Sequence, residues 1–282
     1  MIQGLLLGGL YCLFALGQSL MFGVMRLTNT AQGDFIVLAA FGAIAASTLL
    51  AVNPLFAGIA MLPVAFVVGF VLQRVVLGRT LGKDPLPSLV VTFGLSIVIQ
   101  NGLLQLFSAD PRSIDSGGLA SQSIELPGGL AVGTLPLMIL ATAAVCTFAL
   151  QWLFGRTSLG RAFRAVSDDR EIAELMGLNS QRIYAIATGI AFVVIALAGL
   201  FQGLRTTVSP SDGPLLLLFA FEAVIIGGMG SFWGTFLGAM VLGLAQQIGF
   251  RIDPGWGICL GHLVFLAVLV VRPQGLFPKT RA

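Results

Sequence analysis

The side chains in this sequence that could do chemistry are few, and they do not converge. Covalent catalysis needs a Ser, Cys or Thr beside a base, and metal-assisted hydrolysis needs His and carboxylates at ligand spacing. The chain has one histidine, His262, no HExxH run and no paired-aspartate motif inside an apolar segment. No second His or carboxylate lies near it in sequence, and Cys259, three residues before it, is one ligand type alone; His262 reads as a buried, hydrogen-bonded residue, and no metal is expected. Cys12, Cys146 and Cys259 lie inside apolar runs without CxxC spacing and read as small core residues. Gly78, Gly82 and Lys83 come nearest to a phosphate loop, but the spacing is one residue short. Asp84 also stands where Ser or Thr would hold magnesium. The sequence therefore offers neither an enzyme's reactive set nor a nucleotide site of its own, and no cofactor is expected on this chain.

Two polar constellations sit against apolar sequence. Asn29, Gln32 and Asp34 open one apolar segment, where they can cap it or supply polar groups to a solute or a neighbouring helix. Glu222 lies inside the apolar run 215–226, and an ionised carboxylate at membrane depth costs on the order of 3 kcal/mol on insertion scales. It must face the bundle interior, water or a partner subunit, or be protonated. An interhelical bond and a place on a solute path are both open to it. These four residues are the candidate path groups.

A third constellation lies in the connection 155–182. Ser167 is suited to cap a short helix, Asp168, Asp169 and Glu171 suit its positive end, and Gly177 can close it in the left-handed conformation. Over about 168–176, Ile172, Leu175 and Met176 fall at i, i+3 and i+4 and form an apolar stripe; Asp169, Arg170 and Glu174 face elsewhere. So short a helix is not stable alone and needs a surface. That surface is the bilayer, its own bundle, or a cytoplasmic partner.

The elements that must position these groups are membrane helices. Of 282 residues, 57% are hydrophobic and 10% charged, against about 25% charged in a soluble domain. Mean hydropathy is +0.98. Apolar segments fall near 2–24, 35–51, 54–77, 86–107, 130–154, 183–204, 214–229, 232–250 and 257–271. The expected fold is all-α, one polytopic helix bundle over 1–282, with about eight or nine crossings. Segments 35–51, 214–229 and 257–271 are short enough to be tilted, re-entrant or half-helices. The first segment lacks the basic start and cleavage region of a signal peptide and reads as a retained helix.

Arg74, Arg79 and Lys83 cluster at one connection, five arginines at 155–182, and Arg272, Lys279 and Arg281 near the end. The positive-inside rule places all three in the cytoplasm and the connection 108–129 outside. The side of the N-terminus stays open, because one re-entrant piece would reverse it. Gly4 with Gly8, and Gly230, Gly234 and Gly238, recur every four residues and suit close helix packing. The basic residues are spread between apolar runs and give no nucleic-acid surface.

The run Gly160-Arg161-Ala162-Phe163-Arg164-Ala165-Val166-Ser167-Asp168-Asp169, then Ala173 and Met176-Gly177-Leu178-Asn179, resembles the coupling loop of the branched-chain amino acid ABC transporter permeases. Gly9-Leu10-Tyr11 to Gly17 with Thr28–Phe35, Gly227–Ser231 with Gly234 and Gly238, and Arg272–Phe277 are similar to that family's other signatures, in the same order. Gln32 stands where the family often has His. The resemblance is to the LivH-type subunit. It implies a permease that pairs with a second, LivM-type permease, two cytoplasmic ATPases carrying ATP and Mg2+, and a periplasmic or secreted solute-binding protein, in a bacterial inner membrane. It further implies that Asp169, Ile172, Ala173, Glu174, Leu175, Met176 and Gly177 couple to the ATPase, and that the solute is a branched-chain amino acid or, in related permeases, urea or a short amide. A secondary transporter or channel shares the composition but needs coupling charges or a selectivity ring within the membrane. Only Glu222 stands deep in a segment, which disfavours that class.

Overall fold

A computed structural model of the protein describes residues 1–50, 53–82, 85–115, 118, 121–126 and 130–277. Lys83, Asp84, Lys279 and Arg281, used above for the phosphate-loop comparison and the charge count, lie outside the described residues. The chain forms a helix bundle. Its elements are α1 (Ile2–Met25), α2 (Gln32–Leu50), α3 (Pro54–Ala60), α4 (Leu62–Val75), α5 (Leu86–Phe107), β1 (Ser123–Leu126), β2 (Leu130–Gly133), α6 (Thr134–Arg156), α7 (Ser158–Asp168), α8 (Arg170–Leu175), α9 (Ser180–Arg205), α10 (Gly213–Gly227), α11 (Phe232–Ile252) and α12 (Trp256–Val271). Seven helical stretches among the described residues are long and apolar enough to cross a membrane; α10 and α12 are shorter apolar helices.

Several expected boundaries move. The segment expected at 54–77 is two helices broken at Met61, with Pro54 and Pro63 each in a first turn, where the missing N–H costs nothing. The segment expected from 130 begins as a strand. β1 and β2 pair antiparallel, Ile124 opposite Val132, before α6 starts at Thr134.

α1 is the axis of the bundle and is buried along most of its length. It packs on α6, α9, α10 and α11. Lipid tails are as apolar as Leu, so water exclusion does not drive this association; close packing and interhelical hydrogen bonds do. A Cβ on Gly243 would lie 2.4 Å from the Gly4 carbonyl and 2.5 Å from the Gly8 nitrogen, so α1 and α11 touch backbone to backbone. Gly234 and Gly238 of α11 meet Gly227 and Ala223 of α10 in the same way. Gly230 is a correction to the expected helical face. It precedes α11 in a turn, at a φ of 81°, and lies against Gly23 of α1. Between helices, Tyr11 Oη donates to Gln246 Oε1 (2.5 Å), Thr188 Oγ1 to Gln73 Oε1 (2.9 Å) and Thr235 Oγ1 to Ser19 Oγ (2.9 Å). Each such bond contributes roughly 0.6–2 kcal/mol. Outward, Val67, Phe93, Phe148 and Val270 are exposed, a surface that only lipid or another membrane subunit can cover.

Two ends of the bundle follow from the packing. The Ser167 hydroxyl donates to Gly23 O, 2.9 Å away, which puts the end of α1 beside α7 and α8. Leu276 N donates to Ile226 O and Phe277 N to Gly227 O, bringing the stretch after α12 to the end of α10. At the opposite end, Gln247 of α11 reaches Gln3, and Arg112 and Val208, past the end of α9, form an isolated β-bridge.

Candidate functional site

Three of the four candidate path residues, Asn29, Gln32 and Asp34, sit where two helices begin inside the bundle. α1 ends at Arg26 with a left-handed φ of 52°, and the chain turns back along the bundle interior without helical structure until Gln32. Gln32 Nε2 donates to Phe14 O (3.1 Å). That places the start of α2 roughly 17 Å along α1 from its C-terminal end, at mid-height and not at a surface. Asn29 Oδ1 accepts from Ala31 N (3.1 Å), a local cap, and Asn29 is fully buried. Thr30 is tied to Thr92 of α5 through both its amide (3.2 Å) and its hydroxyl (2.7 Å).

The start of α10 meets the start of α2. A Cβ on Gly33 would fall 1.8 Å from Gly213 O, and one on Gly213 would fall 1.9 Å from Asp34 Oδ1. Only glycine at both positions lets the two N-terminal ends approach so closely, and Pro214 suits the first turn of α10. Helix N-termini carry partial positive charge. Asp34 lies buried at this junction, accepting from Gln100 Nε2 of α5 (2.9 Å), which also reaches Ser96. Gln32 Oε1 is buried with no protein partner among the described residues. Mid-bundle helix starts with buried polar groups are the arrangement in which discontinuous helices hold polar solutes.

Glu222 of α10 is buried, and its Oε1 bonds Nδ1 of His262 on α12; His262 is only part-buried and stacks against Phe219. The carboxylate partner that sequence spacing denied to His262 is supplied by the tertiary structure.

At the end of the bundle beside the α1 C-terminus, the connection between α6 and α9 folds as two helices, where the sequence suggested one. Thr157 Oγ1 accepts from Gly160 N (3.0 Å) to start α7, whose Phe163 and Val166 are buried against the bundle while Arg161 stays exposed. Ser167 is therefore not the cap of the short helix; it lies inside α7 and bonds α1. Asp169 caps α8 instead, Oδ1 accepting from Ile172 N (3.0 Å). α8 is shorter than the expected 168–176 and ends at Leu175, with Met176 following and Gly177 at a φ of 86°. Ala173 turns inward at 4% exposure, whereas Ile172, Leu175 and Met176 stand out at 60, 87 and 80%. Glu174 ties the helix down by accepting from the Ser180 hydroxyl at the start of α9 and from Arg170 Nε (3.0 Å). The Ser180 hydrogen bond first, then Arg170, hold its carboxyl below the usual carboxylate range.

A family model for the branched-chain amino acid transport system permease component matches residues 1–271. The chain belongs to that family.

Among this permease's relatives, BraD of Pseudomonas aeruginosa, a high-affinity branched-chain amino acid transport system permease protein, is 28% identical over 99% of this chain and 95% of its own. LivH of Escherichia coli, described in the same words, is 26% identical over 99% and 94%. FrcC, a fructose import permease of Rhizobium meliloti, is 29% identical over 68% and 57%. PsaBC from Streptococcus pneumoniae, solved in complex with a Fab, shares the fold with a TM-score of 0.53 at 12% identity, covering 97% of this chain and 92% of that one. The protein is thus a multi-pass membrane permease.

In this permease the structure groups Asn29, Gln32 and Asp34 at one junction but puts Glu222 elsewhere, between α10 and α12. Gln100, Ser96 and Thr92 of α5 belong to the junction and were not foreseen. A signal existed: a Gln within an apolar crossing is costly unless it finds a partner.

Proposed function

We propose that this permease works as one of two membrane-spanning subunits of an ATP-driven importer for branched-chain amino acids. In this reading it pairs with a second permease, receives solute from a binding protein and is driven by two ATPases that hold ATP and Mg2+. The observation that carries it is α8. A helix of six residues that buries only Ala173, is tied to α9 through Glu174, and leaves Ile172, Leu175 and the following Met176 bare needs a second surface. Burying those side chains in a groove supplies about 1.5–3 kcal/mol each. α7, capped, buried on one face and bonded to α1 through Ser167, supports the further reading that motion at α8 reaches α1 as one lever.

The arginine-rich connection argues for a cytoplasmic location in a plasma membrane. The same side then receives the chain after α12, and the N-terminus of α1 lies outside. The junction of α2 and α10 is the proposed solute path. Partial positive charge from two helix starts suits a carboxylate, and Gln32 Oε1 and Asp34 suit an ammonium. FrcC is a fructose import permease, so the binding protein is taken to select first. No bond is made or broken by this chain; it stabilises two packings of one bundle differentially.

The test is co-purification of the ATPase with Ile172→Glu or Met176→Glu, alongside solute-stimulated hydrolysis in liposomes. Both variants are expected to insert and pair with the other permease yet lose the ATPase. Wild-type association and hydrolysis would mean that α8 rests on lipid and would remove the coupling role.

A further inference from the structure

At the end of the bundle away from α8 lies an open recess of about 580 Å3, lined by the start of α1, strand β2, the start of α6 and the C-terminal ends of α9 and α11. Its volume falls within the roughly 300–1,000 Å3 of small-molecule sites. The wall is of two kinds. Leu6, Val132 and Pro136 present aliphatic surface, while Arg205 and Arg251 bring two guanidinium groups, with Gln247 beside them. Neither arginine has a carboxylate partner among the described residues; the ion pairs there are Arg170 with Glu174 and His262 with Glu222. Membrane topology does not ask for these arginines either. The positive-inside rule draws basic residues to the opposite end, so two at this one call for a local reason. Arg112, a third, is already used: it donates to Phe107 O (3.0 Å) and lies over the Phe107 ring.

Two planar cations without a partner in a recess suit a carboxylate, which a guanidinium binds through paired hydrogen bonds. An acidic side chain of a docking protein would satisfy the guanidiniums alone. The aliphatic wall next to them fits a molecule that carries a carboxylate and a branched hydrocarbon together. Resting on the reading that this permease carries branched-chain amino acids, we propose that the recess is a receiving vestibule. In it Arg205 and Arg251 hold the solute's α-carboxylate, while Leu6, Val132 and Pro136 face its side chain.

The test places a reporter thiol on the exposed wall residue Ala131, as Ala131→Cys with Cys146→Ser and Cys259→Ser, in the complete importer in liposomes. Modification is timed with an anionic and a cationic methanethiosulfonate, with and without leucine or leucinamide, which lacks the carboxylate. The anionic reagent is expected to react several-fold faster, and leucine, but not leucinamide, to slow it. Adding Arg205→Gln and Arg251→Gln should erase both effects. Equal protection by leucinamide, protection that survives loss of both arginines, or no modification by either reagent would each overturn the vestibule. So would protection that needs only solute-free binding protein, because the carboxylate would then belong to the docking partner. If the double Gln variant does not assemble, the leucine and leucinamide comparison decides alone. Leucine uptake is measured in parallel. Uptake without protection sinks the vestibule only, whereas uptake of a different solute in place of leucine sinks the functional reading itself.

Discussion

Glu222 of α10 and His262 of α12 stand 40 residues apart in the chain and are hydrogen-bonded within the bundle. The carboxylate is 1% exposed and the imidazole about one third exposed, on a helix whose neighbours Leu263 and Leu266 face outward. The pair joins a fully enclosed polar group to the outer surface of α12.

Removing one member should cost more than removing both. Glu222→Leu or His262→Leu leaves the other group unpaired at membrane depth, a penalty of about 1–3 kcal/mol, whereas the double Leu variant leaves none. Glu222→Gln keeps an acceptor and should stay near wild type. Thermal unfolding of the detergent-solubilised permease pair, read as a double-mutant cycle, checks this; strictly additive losses would deny the coupling.

The glycines of α11 are predicted to be unequal to those of α5. Gly243→Ala drives a Cβ into the backbone of α1 and should cost about 1–3 kcal/mol through overpacking. A Cβ on Gly94 or Gly102 meets nothing within 4 Å, so Ala there should be neutral or stabilise by roughly 0.5–1 kcal/mol through better helix propensity. The yield of monodisperse protein after heating ranks the three, and equal loss in all of them would contradict the backbone contact.

At the α2 start, Gln100→Leu strips Asp34 of its 2.9 Å donor. Asp34→Asn keeps an acceptor for Gln100 while removing the charge. If the charge serves the solute, Asp34→Asn should assemble normally and lose uptake, while Gln100→Leu loses assembled complex as well. Normal uptake by Asp34→Asn in liposomes would confine Asp34 to packing.

The tether of α8 should be acid-sensitive. Because Glu174 is held below its usual range in the folded protein, its contribution is present above the unfolded-state carboxylate pKa and is lost as pH falls through the lowered value. Glu174→Gln should flatten that dependence, read as protease resistance of the α6–α9 connection between neutral and acid pH. Gly177→Val should loosen the same connection at every pH, since a β-branched residue resists a φ of 86°. A pH profile unchanged by Glu174→Gln would rule out the tether.

Much of the fold was legible locally. Helix-length apolar runs, the scarcity of charge and the arginine clusters each act within one segment, so the bundle, the segment order and the apolar stripe on α8 follow from residues a few positions apart. The capping residue did not, because Ser167 and Asp169 are both competent caps and only packing decided. Ser167 is taken by Gly23 O, 144 residues away, and Asp169 is left to cap α8. The break at Met61, the sunken starts of α2 and α10, and the pairing of Asp34 with Gln100 across 66 residues were likewise decided by the bundle. A buried polar side chain in an apolar helix announces that it needs a partner, but helix periodicity fixes only which face it occupies. Which neighbour covers that face depends on how the helices pack, and in this protein backbone contacts such as Gly33 on Gly213 set that arrangement.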